Sequence, residues 1–241
     1  MVGTVINVCG ILLGGIVGLF RGSKPIGGEA FFKVALGAFT IFYGLQLAWV
    51  SLGGSFARIA KQMLIAILAL ALGKLTGRLL RLQKFSNTLG SAARERMAAI
   101  AARGRPDPIA GFKTCAALFC ATPLAILGSI QEGLSDYYYP LIVKGVIEGL
   151  GALGFVFVFG WGTLLAALPV LVFQGSISLC CSRWIAPLAA ARNLGYLVDE
   201  TNLVGGLLVF CVGLIIFEIK KIEVADYLPA LLFAPLMAWI W

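Results

Sequence analysis

The sequence predicts an all-α fold: a polytopic transmembrane helix bundle of about eight spans. Of its 241 residues, 60% are hydrophobic and only 12% are charged, and its mean hydropathy of +0.97 is far from the balance of a water-soluble domain. The apolar residues also fall in runs close to the roughly 20 needed to cross a hydrocarbon core about 30 Å thick. These runs are continuous, which excludes the alternating segments of roughly ten residues that build a transmembrane barrel. Helices remain the way to satisfy every backbone group in lipid. Residues 1–241 read as a single transmembrane domain with no room for a sizeable soluble one.

The first run, Thr4 to Phe20, has no positive charge before it and is followed by Arg21 and Lys24, so it reads as a retained helix rather than a signal peptide. Further helices are predicted over 31–52, 59–80, 112–131, 140–159, 163–182, 202–217 and 227–241. Between the third and fourth lies a basic loop, 82–111, with Arg94, Arg96, Arg103 and Arg105. The Ala/Arg-rich stretch Ser91–Arg103 within it predicts an amphipathic helix. The positive-inside rule places this loop in the cytoplasm, together with Arg21, Lys24, Lys33, Lys220 and Lys221, and leaves both termini outside. Arg58, Lys61, Arg183 and Arg192 run against that bias. Tyr137, Tyr138 and Tyr139 fall at the outer interface, where tyrosines are common.

An internal repeat is also predicted. Gly37 to Gly44 followed by Leu45 has the spacing of Gly206 to Gly213 followed by Leu214, and Gly3-Thr4 matches Gly162-Thr163 one helix earlier. Leu64 to Leu68 echoes Leu228 to Leu232 in the third and last helices. Helices one to three thus resemble six to eight. An offset of five helices inverts the second triplet, as in many secondary transporters.

Polar groups inside lipid mark candidate sites, because a charge at mid-membrane costs at least about 2.5–3.5 kcal/mol on insertion scales. Gln131 and Glu132 lie between Gly128 and Gly133, glycines that let a helix unwind or approach a neighbour. Lys144 and Glu148 are four apart on one helical face and can pair; they serve either as a structural ion pair or as a cation or proton site that Lys144 neutralises when empty. Pro169 to Gly175 predicts a break near Gln174, since proline removes a donor and frees a carbonyl one turn earlier. Asn7 and Asn202 complete the candidate substrate- or ion-binding set.

The chain has no histidine, which removes imidazole-based zinc sites, triads and proton relays. Its six cysteines lack CxxC spacing and read as small buried hydrophobes. Most of the net charge of +8 lies in the stretch from Arg78 to Lys113, and it points to anionic headgroups rather than nucleic acid. No nucleophile–base pair is visible, so no enzymatic activity is expected.

The stretches Gly3-Thr4-x-x-Asn7, Gly128-Ser-Ile-Gln-Glu-Gly133, Lys144-Gly-x-x-Glu148-Gly149, Pro169-Val-Leu-x-x-Gln174-Gly175, Val204-Gly-Gly206 and Ile219-Lys-Lys-Ile-Glu-Val-Ala225 resemble the YqgA/YdfK-like bacterial membrane proteins, a domain-of-unknown-function family. The resemblance covers nearly the whole chain. It implies a multi-pass protein of the bacterial inner (plasma) membrane.

Together these readings point to a secondary transporter or ion-conducting protein for a cation, or for a small solute coupled to a cation or proton. No cofactor is expected beyond a bound monovalent or divalent cation, and the metal is not specified. The expected partners are the lipid bilayer, a small solute or ion, and a second copy in a homo-oligomer. The alternative is a membrane binding or regulatory component whose polar residues only hold helices together.

Overall fold

The computed structural model describes residues 1–21 and 29–240; Lys24, expected in the first basic loop, lies outside them. Every regular element among the described residues is helical. In order they are α1 (Val2–Arg21), α2 (Glu29–Ser51), α3 (Phe56–Leu79), α4 (Leu82–Arg103), α5 (Pro108–Cys120), α6 (Pro123–Ser135), α7 (Tyr139–Phe159), α8 (Gly162–Leu165), α9 (Ala167–Cys180), α10 (Ala186–Ala191), α11 (Gly195–Ile216), α12 (Val224–Tyr227) and α13 (Ala230–Ile240), with one π-helical turn at Cys181–Ile185. Among the described residues six stretches are long and apolar enough to cross a membrane: α1, α2, α3, α7, the run Gly162–Ala191 and α11. Their outward faces carry bare apolar side chains such as Phe20, Trp49, Leu79 and Trp184, surfaces that suit lipid.

The predicted fourth helix is two helices, α5 and α6, bent by 58° at their junction. Pro123 is the cause: it opens α6 and cannot donate to the carbonyl one turn back. Counting the bent pair as one span gives seven. The predicted last helix is likewise interrupted, at Leu228-Pro229 between α12 and α13, and the apolar run Val224–Ile240 is shorter than the others. The break expected near Gln174 falls earlier, at Ala166, and helix α9 is continuous through Gln174. Gly128 and Gly133 leave α6 unbroken; they admit Leu141 and the Ser178 backbone at close range.

Two glycine seams organise the bundle. Along α1, Gly3, Gly10, Gly14 and Gly18 meet Tyr138, at the N-terminal cap of α7, and Gly145, Gly149 and Leu153 within it, so both residue numbers rise together and the two helices run parallel. A methyl group on Gly14 would overlap the Gly149 carbonyl oxygen. In the second seam Gly44 meets Gly206, and Gly213 meets Ile41 and the Gly37 carbonyl. There the numbers run in opposite senses, so α2 and α11 are antiparallel. Removing Cβ atoms brings backbones into direct contact, which is the usual basis of close packing in membranes. The main apolar core lies beside the second seam and includes Leu127, Val143, Leu203, Leu208 and Leu231.

One end of the bundle gathers basic connections. Lys33 pairs with Glu218 at 2.6 Å and Arg78 with Glu223 at 3.6 Å, which brings together the start of α2, the end of α3 and the segment after α11. Helix α4 packs at this end, longer than the predicted amphipathic stretch, with Ala93 and Ile100 buried and Arg94, Arg96 and Arg103 exposed. Arg81 adopts a left-handed conformation (φ 56°) and turns the chain sharply out of α3. The first turn of α4 is then capped from elsewhere: the Gln83 amide N–H donates to Asp226 Oδ1 at 2.8 Å, while Gln83 Oε1 accepts from the Ala225 N–H at 3.2 Å. Asp226→Ala should therefore cost about 1 kcal/mol, the usual value of an N-cap. Hydrogen exchange at the Gln83 amide should speed up while the α7 amides stay protected.

All six cysteines are free thiols. Cys115 and Cys181 are buried as expected, but Cys9 and Cys180 are exposed on the outer surface, where a thiol suits an apolar solvent as well as an apolar core.

Candidate functional site

The seven residues singled out in the sequence do not form one site. The structure divides them into three groups.

Asn7, Lys144, Glu148 and Gln174 come together where α1, α7 and α9 meet, and none is more than 4% exposed. Glu148 lies about 13 Å along a helix about 31 Å long, near the middle of its span. Lys144 Nζ ion-pairs with Glu148 Oε1 and donates to the Phe119 carbonyl at 2.9 Å. That carbonyl lacks its helical N–H because residue 123, which would supply it, is proline; the Thr122 hydroxyl also donates to it, at 3.4 Å. The broken helix thus creates an acceptor, and the buried ammonium fills it.

The glycine seam sets the other half of the cluster. Gly145 lies against the Asn7 backbone, which carries the Asn7 amide alongside the Glu148 carboxyl. Asn7 Nδ2 donates to Gln174 Oε1 at 3.0 Å. Glu148 Oε2, Asn7 Oδ1 and Gln174 Nε2 have no hydrogen-bond partner. Two acceptor oxygens and one donor, all deeply buried, are therefore left open to a further group. Oxygen ligands of this kind suit a hard cation, a proton or a polar solute.

A cavity of about 300 Å³ reaches this pair from the basic end, with room for about ten waters at roughly 30 Å³ each. It is lined by Gln83 and Ser86 of α4, Thr122 and Pro123 at the helix break, Ile215 of α11, and Lys144 and Glu148 at its inner end.

Glu132 belongs to a different arrangement. Its carboxylate accepts from the Gly3 N–H at 2.5 Å, the Thr4 N–H at 3.3 Å and the Thr4 hydroxyl at 2.7 Å, with the Met1 amino group 3.4 Å away. It caps the first turn of α1, where unpaired N–H groups and the helix dipole favour a negative charge. Glu132→Gln should lower stability by about 1–2 kcal/mol and leave any ligand response at Glu148 intact, as thermal unfolding with and without ligand would show.

Gln131 points the opposite way, its side-chain nitrogen packed against Gly205 of α11. Asn202 Nδ2 donates to the Ser135 hydroxyl at 2.6 Å. This third group joins α6 to α11 and is separate from the cluster around Glu148.

Sequence reasoning did not find Glu200, which is 3% exposed and lines a cavity of about 520 Å³ with Arg58, Lys61 and Gln62. Its neighbours carry the signal: Arg58 and Lys61, set against the positive-inside bias, surround this carboxyl. Thr4 and Asp226 were also missed, because their partners lie more than a hundred residues away.

The sequence pattern of a family described as "Protein of unknown function (DUF554)" matches residues 2–239. The chain is 28% identical over 242 residues to "Uncharacterized membrane protein YdfK" of Bacillus subtilis (strain 168), covering 100% of this chain and 96% of the relative. It is also 28% identical over 248 residues to "Uncharacterized protein YqgA" of Escherichia coli (strain K12), covering 100% and 97%. No solved structure matches it at a significant level.

Proposed function

We propose a transport function for this chain on one premise: it belongs to the DUF554 family of proteins of unknown function, and it is a membrane protein of several apolar helices. The reading is a secondary transporter or ion-conducting protein for a cation, or for a small solute coupled to a cation or proton. One observation carries it. A near-midspan carboxylate, paired to a lysine yet holding one oxygen unpartnered, lies at the inner end of a cavity that leads to the basic end.

The chemistry follows from the cost of unpaired charge in lipid. Lys144 acts as a tethered cation that balances Glu148 while the site is empty. An entering cation competes for the carboxylate and draws on Asn7 Oδ1; an entering proton cancels the Glu148 charge. Either event leaves the Lys144 ammonium without its counter-ion, a state costly in a dry interior. Conformations that hydrate Lys144 through the cavity are then favoured, and the occupied protein is biased towards another access state. The cavity bordered by Glu200, at the far end of α11, is the natural second approach.

Several finer features belong to the same reading. Val224–Ile240 serves as an eighth span, the basic end faces the cytoplasm of the bacterial inner membrane, and both termini face outward. The two triplets form an inverted repeat. Its support is the second glycine seam: a twofold axis exchanging Gly37 with Gly206 and Gly44 with Gly213 turns the Gly37–Gly213 contact into the Gly206–Gly44 contact, and both are present. We read the protein as neither an enzyme nor a nucleic-acid binder, with a homo-oligomer as its expected assembly.

Thermal unfolding of purified protein against monovalent and divalent cations tests the site. A ligand that binds only the folded state at one hundred times its Kd stabilises by about 2.7 kcal/mol. One cation should give a saturable shift that disappears in Glu148→Gln, and the same cation should drive flux in proteoliposomes. An equal shift in Glu148→Gln would remove Glu148 from the site. The second reading, a membrane binding or regulatory component, draws on the contacts of Lys144, whose bonds to Phe119 and Glu148 suit a purely structural pair. A Glu148→Gln variant that folds and functions unchanged would favour it.

A further inference from the structure

We propose that a second cavity at the basic end is a binding site for one anionic phospholipid. The cavity, about 720 Å³, lies between α3, α4, α11 and the segment before α12. Its depth is apolar, formed by Leu70, Leu207, Leu208, Cys211 and Ile215, and its mouth carries Lys74, Lys220 and Lys221. The carboxylate at the mouth, Glu223, is engaged by Arg78 at 3.6 Å, so the three lysines dominate the local charge. Lys74 sits 5.2 Å from the centre of the Tyr227 ring, a cation–π contact that holds the ammonium at the mouth. The Gln83 and Asn87 side chains from α4 add uncharged polar groups to the wall.

This division of chemistry matches one class of molecule. A phosphate diester meets the lysines, whose charge favours anionic headgroups by electrostatic attraction. An acyl chain covers the leucines, which a small hydrated anion would leave facing water. The site is distinct from the cluster around Glu148 and holds whether or not that cluster transports anything. It also differs from Arg94 and Arg96 of α4, which are exposed on the helix surface and do not line this cavity.

The test titrates detergent-purified protein with phosphatidylglycerol, phosphatidylcholine or inorganic phosphate and reads thermal stability alongside native mass spectrometry. Phosphatidylglycerol should give a saturable shift and one retained lipid. Lys74→Gln/Lys220→Gln/Lys221→Gln should weaken its apparent affinity at least about tenfold, while Arg94→Gln/Arg96→Gln on α4 should retain it. If the triple lysine variant folds poorly, Lys221→Gln alone should still weaken binding severalfold. Equal responses to phosphatidylglycerol and phosphatidylcholine, an unchanged affinity in the lysine variants, or full reproduction of the shift by inorganic phosphate would each overturn the proposal.

Discussion

Replacing Lys144 with methionine should cost about 3–5 kcal/mol of stability, because it strands the Glu148 carboxylate in the interior without a counter-ion. Both groups are at most 4% exposed, so the water that the cavity admits replaces only part of what the missing ammonium supplied. The same change also leaves the Phe119 carbonyl without its ammonium donor. Removing both charges should reverse most of the loss. Lys144→Met/Glu148→Leu keeps similar volume, and buried ion pairs replaced by apolar residues are often neutral in stability or better. The double variant should therefore unfold close to the wild-type temperature while losing every cation-dependent shift. Denaturant or thermal unfolding of the four-member cycle measures the coupling between the two sites. A single variant as stable as the wild type would show that Glu148 is solvated, and would remove the basis for a charge-balanced site.

Gly14→Ala should be the most damaging small substitution in the first seam, costing about 1–3 kcal/mol for overpacking. The added methyl would press on the Gly149 backbone, which cannot rotate away as a side chain can. Relief requires α1 and α7 to separate, and separation pulls Asn7 from Glu148 and Gln174. The loss of stability should thus come with a weaker cation response, although Gly14 touches none of the polar groups. Gly154→Ala on the same α7 is the control. Nothing lies within 4 Å of its added methyl, so that variant should be neutral or slightly stabilised by helix propensity. Parallel melting curves and cation titrations of the two variants would separate packing from propensity.

The long helices were legible because lipid demands uninterrupted apolar runs, and α1, α2, α3 and α7 have them; α11 begins at Gly195 rather than 202, because Asp199 and Glu200 interrupt its apolar pattern near the start. The pairing of Lys144 with Glu148 was legible for a similar reason: a spacing of four fixes both on one face whatever the surroundings. The fracture at Thr122-Pro123 was not, since hydropathy does not distinguish a continuous apolar run from one divided by a missing donor. Gln131 and Glu132 were grouped because they are adjacent in the chain. Successive helical side chains diverge by about 100°, so the two serve different neighbours. Glu132 caps a helix 128 residues away, and no local pattern announces such a contact. Alternation and spacing describe one helix at a time, whereas the site depends on which helices meet.

Pro123 can never supply a donor to the Phe119 carbonyl, so the joint between α5 and α6 is completed by a side chain from another helix. Its stiffness is therefore partly on loan from Lys144, whose 2.9 Å bond is shorter than the 3.4 Å one from the Thr122 hydroxyl. Whatever discharges or displaces Glu148 frees the ammonium to move, and with it the clasp that holds the 58° bend. On the proposed function, charge at one buried carboxyl would be converted into slack in the backbone, and the joint would work as a fuse for an ion or a proton to trip.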